Sequence, residues 1–256
     1  MASQSIYEFY AELKDYHPKI WRRFQVASNV TMARLGYILM TLFEMQASHL
    51  FRIEVPANDN FHAFIRDRLS DGEYAKIFTE PGSTDPFEEN MIFEVITEDT
   101  YEFREEHEKV YDAVENKLKH VITHPLSKLS LVYDFGDNWT VLVTLERIFK
   151  DDDLSGKLLP FVLEGEGFGI IEDCGGTPGL TELAKAFKKK GNAYNEYREW
   201  LGRDAFDLER FDIDDMNFRL KKVPRIYTDI YEFELEPTKR SMDILERRYQ
   251  NRKTTP

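Results

Sequence analysis

The stretch LSLVYDFGDNWTVLVTL, residues 129 to 145, decides the fold class. Apolar side chains stand at every second position up to Phe135 and again from Trp139 onward, as in strands with one buried face. Between the two runs, Gly136-Asp137-Asn138 supplies turn formers. We therefore predict an antiparallel hairpin with a three-residue loop, in which Asn138 is left-handed and Phe135 faces Trp139.

Further strands are predicted on the N-terminal side of this hairpin. Residues 6–14 and 20–26 have extended patterns on either side of His17-Pro18, which predicts two antiparallel strands. From Thr31, a residue type that caps helices, apolar residues recur at three- and four-residue steps, and residues 50–55 alternate again. The predicted order before the hairpin is therefore strand, strand, helix, strand.

The rest of the chain is predicted to be mainly helices and loops. Residues 56–100 predict loops with short elements, whereas 101–122 carry apolar side chains on one helical face and predict a long amphipathic helix. A glycine-rich acidic loop covers 164–176. Helices are predicted after it at four places, namely from Thr177 as cap, over 194–201, from Asp212 and in the tail from Thr238.

These elements indicate an α+β protein with a mixed, largely antiparallel sheet, packed helices and a helical C-terminal block. We expect residues 1–220 to form the α+β domain. Residues 221–256 are expected to be a C-terminal extension with a basic helix, whose cations pair with the acidic body of the protein or with a partner.

Composition limits the class of protein. With 256 residues, 42% of them hydrophobic, the chain can bury a large core, and a formal charge of −13 argues against general nucleic-acid binding. The single cysteine, Cys174, excludes an internal disulfide and a thiolate zinc cage, which favours a reducing compartment. The longest apolar run, near residues 35–43, is too short to span a membrane, so we expect a cytoplasmic protein without a membrane partner.

Two short motifs match known sites only superficially. Asp134-Phe135-Gly136 is the metal-binding triplet of protein kinases, but the phosphate loop and catalytic segment that a kinase needs do not precede it. The glycines at 165, 167 and 169 are followed by acidic side chains that repel phosphate, and no helix start with a lysine or serine follows. A hairpin turn and an acidic loop are the better interpretations.

Four carboxylates form the main candidate site. Asp134 and Asp137 lie at the predicted hairpin tip, and Glu172 and Asp173 lie in the glycine-rich loop. If the fold brings tip and loop together, these oxygens could hold a divalent cation, the one cofactor that the sequence suggests. The alternative is that the carboxylates accept backbone N–H bonds within turns.

Other candidate binding residues are a histidine and several aromatic or cationic side chains. His49 could be a ligand or a general base, or else a hydrogen-bonded residue at a helix end. Trp21, Arg22 and Arg23 suit an anion-binding or stacking surface, or else salt bridges to the acidic body. Trp139 is a candidate for an aromatic wall beside the carboxylates.

Four segments together resemble the plasmid pRiA4b open-reading-frame-three-like family, whose members also occur as passenger proteins of insertion elements: PKIWRR at 18–23, SHLFRI at 48–53, YDFGDNW at 133–139 and EDCGG at 172–176. The resemblance implies an α+β domain with a mixed sheet and names no reaction. This chain departs from the family pattern at Leu35-Gly36, where a leucine-histidine pair is expected. It also has Gly169-Ile170-Ile171 in place of Cys-Pro-Pro.

Three hypotheses for the function follow. The first is a binding or interaction module with a protein partner, linked to mobile elements through the family resemblance, because no complete catalytic set is recognisable. The second is a divalent-metal-dependent hydrolase that uses the clustered carboxylates, with His49 as base. The third is DNA binding through the Trp21 segment and the basic tail, which the net charge disfavours.

Overall fold

A single sheet forms the frame of the protein. The computed structural model describes residues 4–78, 90–97, 109–154 and 156–249. Eight strands of the described part pair in the order β5-β4-β3-β6-β7-β1-β2-β8, and only β4 and β5 are parallel. The strands are β1 (Ile6–Leu13), β2 (Trp21–Ala27), β3 (Phe51–Val55), β4 (Met91–Glu94), β5 (Val110–Asp112), β6 (Lys128–Tyr133), β7 (Trp139–Phe149) and β8 (Phe161–Glu166).

The helices complete the predicted α+β class. Those of the described residues are α1 (Met32–Leu42), α2 (Ala57–Arg66), α3 (Asp71–Phe78), α4 (Leu118–Val121), α5 (Gly176–Lys189), α6 (Asn192–Leu201), α7 (Ile213–Leu220), α8 (Val223–Tyr231) and α9 (Lys239–Leu245), with a 3-10 turn at Gly156–Leu158. The mixed, mostly antiparallel sheet and the helical C-terminal block are confirmed. In the described residues, every helix is too short or too polar to cross a membrane.

Local sequence signals account for the first half of the fold. β1 and β2 pair antiparallel from Ile6 opposite Ala27, as predicted. The Thr31 hydroxyl accepts the Arg34 N–H at 3.1 Å, which confirms the predicted cap of α1. Nearly all side chains of α1 are buried, because this helix lies between the sheet and the C-terminal helices.

The central hairpin is confirmed, but its loop is longer than predicted. Tyr133, not Phe135, pairs with Trp139, and five residues connect the strands. Asn138 is left-handed as expected, with φ 54°, but Asp134 is also left-handed, with φ 56°. The Asp134 Oδ1 accepts the Gly136 N–H at 3.0 Å, so a side-chain turn ends the ladder before Phe135 can pair.

The predicted long helix over 101–122 is wrong within the described residues 109–122. Residues 101–108 lie outside the described part, and Val110–Asp112 is a strand beside β4. The Asp112 Oδ1 then accepts the Val114 N–H at 2.7 Å and starts a turn, so only the single turn α4 is helical. The helical spacing of the apolar residues was outweighed by sheet pairing and by this side-chain bond.

The C-terminal helices belong to the same hydrophobic core as the sheet. Tyr227, Tyr231 and Leu245 are buried there, and the Tyr231 ring stacks on Tyr37 of α1 at 5.8 Å between centroids. The side-chain amide of Asn217 in α7 covers the open edge of β8, since its Oδ1 accepts the Val162 N–H at 2.9 Å and its Nδ2 donates to the Val162 carbonyl at 3.0 Å.

Helix starts after the acidic loop are predicted with varying accuracy. α6 ends at Gly202, and the Asp212 side chain caps α7, both as predicted. α5 begins at Gly176, one residue before the predicted cap, because Gly175 and Gly176 both adopt positive φ and turn the chain into the helix. Thr238 caps α9 as expected of the tail.

Candidate functional site

The hairpin tip and the glycine-rich loop meet, which is the condition that the sequence analysis set for a site there. The Gly175 N–H donates to Asp137 Oδ2 at 3.2 Å. Gly176 packs on the Asp137 carbonyl so closely that a β-carbon there would lie 2.7 Å from the oxygen. Only a glycine with positive φ permits this approach, so the glycine pair joins the two turns.

Sheet pairing brings His49 to the same place. Phe51, at the start of β3, lies opposite Tyr133, at the end of antiparallel β6. His49 just before β3 and Asp134 just after β6 therefore lie at one end of the sheet. The Asp134 N–H extends the ladder by donating to the Leu50 carbonyl at 3.0 Å.

Three side chains converge at this end of the sheet. The His49 Nε2 lies 3.5 Å from Asp134 Oδ2 and 3.4 Å from Asp173 Oδ1, and one ligand atom from each of the three residues lies within 4.8 Å of the others. Two atoms bound at about 2.1 Å to one tetrahedral ion lie about 3.4 Å apart. The two distances from His49 therefore fit two ligands of one ion, and they equally fit salt bridges between the imidazole and the two carboxylates.

The three side chains differ in exposure. Asp134 is 12% exposed, His49 31% and Asp173 72%, so the group opens to solvent on the side of Asp173. The His49 Nε2 atom is itself shielded from water and makes no hydrogen bond with the described residues. A buried ring nitrogen without a partner is costly unless it meets a proton donor or a cation.

Backbone strain accompanies the two aspartates. Asp134 has φ 56° and Asp173 φ 60°, in the left-handed region that aspartate visits more readily than most residues. The His49 ring packs edge-on against Tyr133, with centroids 5.7 Å apart. Strained aspartates and a packed imidazole are typical of a preorganised site.

Glu172 and Asp137 do not join His49, Asp134 and Asp173, which corrects the predicted set of four carboxylates. Asp137 accepts the Gly175 N–H as described above, and Glu172 is bound elsewhere. Its side chain turns inward and accepts the Gln46 N–H and the Tyr133 hydroxyl, each at 2.5 Å, and the Ser48 hydroxyl. Burial and the Glu172 charge raise the pKa of Tyr133, so this phenol stays a donor. Glu172 thus fixes the segment before His49 through partners distant in sequence, a role that differs from both the predicted cation ligand and the turn acceptor.

The segment from Glu44 to His49 is held by the C-terminal helices, an arrangement that sequence reasoning missed. The Tyr231 hydroxyl donates to the His49 carbonyl, and the Tyr227 hydroxyl donates to the Met45 carbonyl. At the other end, Arg247 Nε donates to Glu44 Oε2 at 3.0 Å. The basic tail therefore pairs with the body of the protein.

Arg22 has a different role from the predicted anion binding. Its side chain is fully buried and donates all five of its N–H groups to backbone carbonyls. The acceptors are Leu42 at 3.1 Å, Trp21 at 2.8 Å, Glu166 at 2.6 Å, Gly167 at 2.8 Å and Phe168 at 2.7 Å. No donor is left for a phosphate, and the guanidinium instead supports the loop that leads to Asp173.

Trp21 and Arg23 also lie away from the three converging side chains, and Trp139 lies inside the sheet ladder opposite Tyr133. Trp21 stacks on Tyr10 at 5.6 Å, on a strand separated from β6 by β7 and β1. Arg23 forms salt bridges to Glu146 and Glu164, the alternative that the sequence allowed. Trp139 is completely buried, so it belongs to the core and forms no exposed wall.

Cys174 is unsuited to nucleophilic chemistry. Burial, followed by the negative charges of Asp137 and Asp173, raises its pKa to about 12. Its thiol lies 3.7 Å from the Gly176 carbonyl. The residue therefore packs in the joint between the two turns.

Comparisons place the chain among proteins without an assigned activity. The crystal structure of MM3350, a protein of unknown function from Methanosarcina mazei Go1, has the same fold, with a TM-score of 0.61 and 24% identity over 83% of this chain and 97% of that one. Uncharacterized protein y4hQ of Sinorhizobium fredii (strain NBRC 101917 / NGR234) is 31% identical over 87 residues. That match covers 34% of this chain and 43% of the relative, less than half of its length. Residues 5–215, most of the chain, match the family described as Plasmid pRiA4b ORF-3-like protein, and the chain belongs to that family.

Proposed function

We propose that this protein is a divalent-cation-dependent hydrolase whose ion is held by His49, Asp134 and Asp173. The observation that carries the proposal is the convergence of one imidazole nitrogen and two carboxylate oxygens within 4.8 Å of one another. The shielded Nε2 of His49 adds to it, because it makes no hydrogen bond with the described residues and lies beside two carboxylates, so a cation would bridge the three groups.

The donor set favours particular ions. One imidazole and two carboxylates suit zinc and manganese better than calcium, which prefers six to eight oxygens. Three protein ligands leave coordination positions for water and a substrate, and a bound cation lowers the pKa of that water toward neutrality. His49 then acts as a ligand and not as the base.

Neighbouring groups have supporting roles in this scheme. Glu172 and Tyr133 hold the segment before His49, and Asp137 holds the loop that carries Asp173. The exposed side of Asp173 leaves the ion site open to water. Groups of this kind, outside the ligands, typically change metal affinity by about 10- to 100-fold.

Calorimetric titration tests the proposal. Chelator-treated protein is titrated with manganese and zinc, and we expect one ion per chain. His49→Ala and Asp173→Asn should each weaken binding at least about tenfold, the lower bound for groups that support a metal site. The matched control is His120→Ala, an exposed histidine on α4, which should bind like the wild type.

Hydrolysis is measured with the ion-loaded protein on nitrophenyl esters and phosphoesters. Turnover that needs the ion and is lost in Asp173→Asn supports the assignment. Absence of ion binding at millimolar concentration, or equal binding by wild type and His49→Ala, overturns it.

A protein-binding role is the second candidate. It is favoured by Trp200 on α6, which is 48% exposed and lies 6.3 Å from the Tyr197 ring, because exposed tryptophans are enriched in interfaces. Quantitative co-purification of wild type and Trp200→Ser from the same host tests this role. A partner that is retained equally by both proteins does not bind through this helix.

A further inference from the structure

A cavity of about 720 Å³ lies directly beside the proposed ion site. His49 is shared by both, because its Nε2 converges with the two aspartates and the residue also lines the cavity. Ligand pockets typically measure about 300–1,000 Å³, so the volume suits an organic molecule.

The floor of the cavity is apolar and firmly held. Phe51, Val95 and Leu245 are buried there together with Tyr231. Tyr231 packs edge-on against Phe51 at 5.2 Å and donates its hydroxyl to the His49 carbonyl. The floor and the wall that carries His49 are therefore tied to each other, and the cavity is largely formed before a ligand enters.

The rim has one sign of charge. Glu234 and Glu236 line the cavity and are exposed, and none of the described lining residues is a lysine or an arginine. A rim of carboxylates on low-dielectric walls attracts cations and repels anions. The cavity thus has His49 of the proposed ion site in its wall, an apolar floor and two carboxylates at exposed positions of its lining.

We propose that the cavity binds an organic ligand that has an oxygen group for the ion at one end, an apolar body, and an ammonium or guanidinium group at the other end. This inference rests on the proposed function, since the ion anchors the first end. The oxygen group meets the cation beside His49, the body lies over Phe51 and Tyr231, and the positive group lies between Glu234 and Glu236.

A series of hydroxamates tests the three parts separately, because a hydroxamate coordinates divalent ions through oxygen. The probes are acetohydroxamate, octanohydroxamate, 8-aminooctanohydroxamate and the monohydroxamate of suberic acid, titrated into manganese-loaded full-length protein. Octanohydroxamate should bind at least about tenfold more tightly than acetohydroxamate, because its additional methylenes are buried on the floor. The amino-ended probe should bind at least about threefold more tightly than the carboxylate-ended one.

Charge variants locate the positive group. The double variant Glu234→Gln/Glu236→Gln should abolish the preference for the amino-ended probe and leave acetohydroxamate binding unchanged. The double variant Glu196→Gln/Glu199→Gln, with the same charge change on exposed positions of α6, should keep the preference.

The outcomes separate the two proposals. If manganese does not bind, the proposed function fails and the cavity inference fails with it. If manganese and acetohydroxamate bind but chain length or end charge has no effect, the cavity inference alone is overturned. The same holds if the preference survives in Glu234→Gln/Glu236→Gln.

Discussion

Replacing Arg22 with lysine tests whether this residue supports the fold or binds a ligand. The guanidinium donates five N–H groups to five carbonyls, and it also lies 3.9 Å from the Phe211 ring centroid. A lysine ammonium has only three donors on one nitrogen, so at least two buried carbonyls lose their partner. The change therefore removes support from the backbone at residues 166–168.

The magnitude follows from the bonds that are lost. Each buried polar group left without a partner costs about 1–3 kcal/mol, so Arg22→Lys should lower the free energy of unfolding by about 2–6 kcal/mol. That is a large part of the roughly 5–15 kcal/mol that stabilises a typical domain. Urea unfolding at neutral pH, followed by circular dichroism, measures the difference.

The neighbouring arginine provides the control. Arg23 lies on the opposite face of the same strand, where it is 29% exposed and pairs with Glu146 and Glu164. Arg23→Lys keeps its charge and should cost less than about 1 kcal/mol. If Arg22→Lys is no more destabilising than Arg23→Lys, the buried hydrogen bonds do not have the structural role described here.

Three further changes probe the site and its supports. Tyr231→Phe, which removes the hydroxyl bonded to the His49 carbonyl and keeps the ring, should cost about 1 kcal/mol and weaken manganese binding. The half-buried control Tyr194→Phe, whose hydroxyl donates to the Asp204 carbonyl at the surface, should not weaken it, and equal affinities of Tyr231→Phe and wild type in calorimetry would contradict the reasoning. Burial raises the pKa of Glu44, but buried arginines outweigh it and hold that pKa below its ordinary value. The contribution of Glu44 to the free energy of unfolding should therefore be complete above about pH 4.3 and decline as the pH falls further. The free energy of unfolding of the wild type should fall more steeply with decreasing pH than that of Glu44→Gln. Parallel curves for the two proteins would refute this. The Cys174 thiol, with its pKa raised to about 12, should carry about 10³-fold less thiolate at pH 8 than an ordinary thiol. Because a thiolate of higher pKa is the stronger nucleophile, its reaction with a disulfide reagent should be slower by about 10- to 100-fold, and a rate equal to that of glutathione would be inconsistent with its burial.

Most of the fold could be predicted because its signals are local. The alternation on both sides of the hairpin and the cap at Thr31 each depend on neighbouring residues, and the structure confirms both. The prediction failed where an aspartate side chain accepted a nearby backbone N–H and so replaced the expected helix or sheet hydrogen bonds. Asp112 and Asp134 each bond a nearby backbone N–H, and these turns replaced a helix in one case and a strand end in the other.

The candidate site was only partly predictable. Turn formers and acidic residues indicated the hairpin tip and the loop, but their meeting was left as a condition; His49 was recognisable as a histidine beside a strand. The inward turn of Glu172 was not predictable, because its partners are set by tertiary packing. The bonds of Tyr227 and Tyr231 reach carbonyls 182 residues away, and no periodic pattern indicates a contact at that separation.

The tyrosine bonds of α8 have a consequence for how the protein can be shortened. The family match ends at residue 215, so a chain cut there would retain every side chain proposed to hold the ion. It would nevertheless lose the Tyr227 and Tyr231 hydroxyls that donate to the Met45 and His49 carbonyls, and the Phe51 ring would lose its edge-on contact with Tyr231. Such a fragment would keep all three proposed ligands but would lose the contacts that hold the segment before β3. We therefore expect a fragment that binds the ion to need residues beyond 215, where the family match ends.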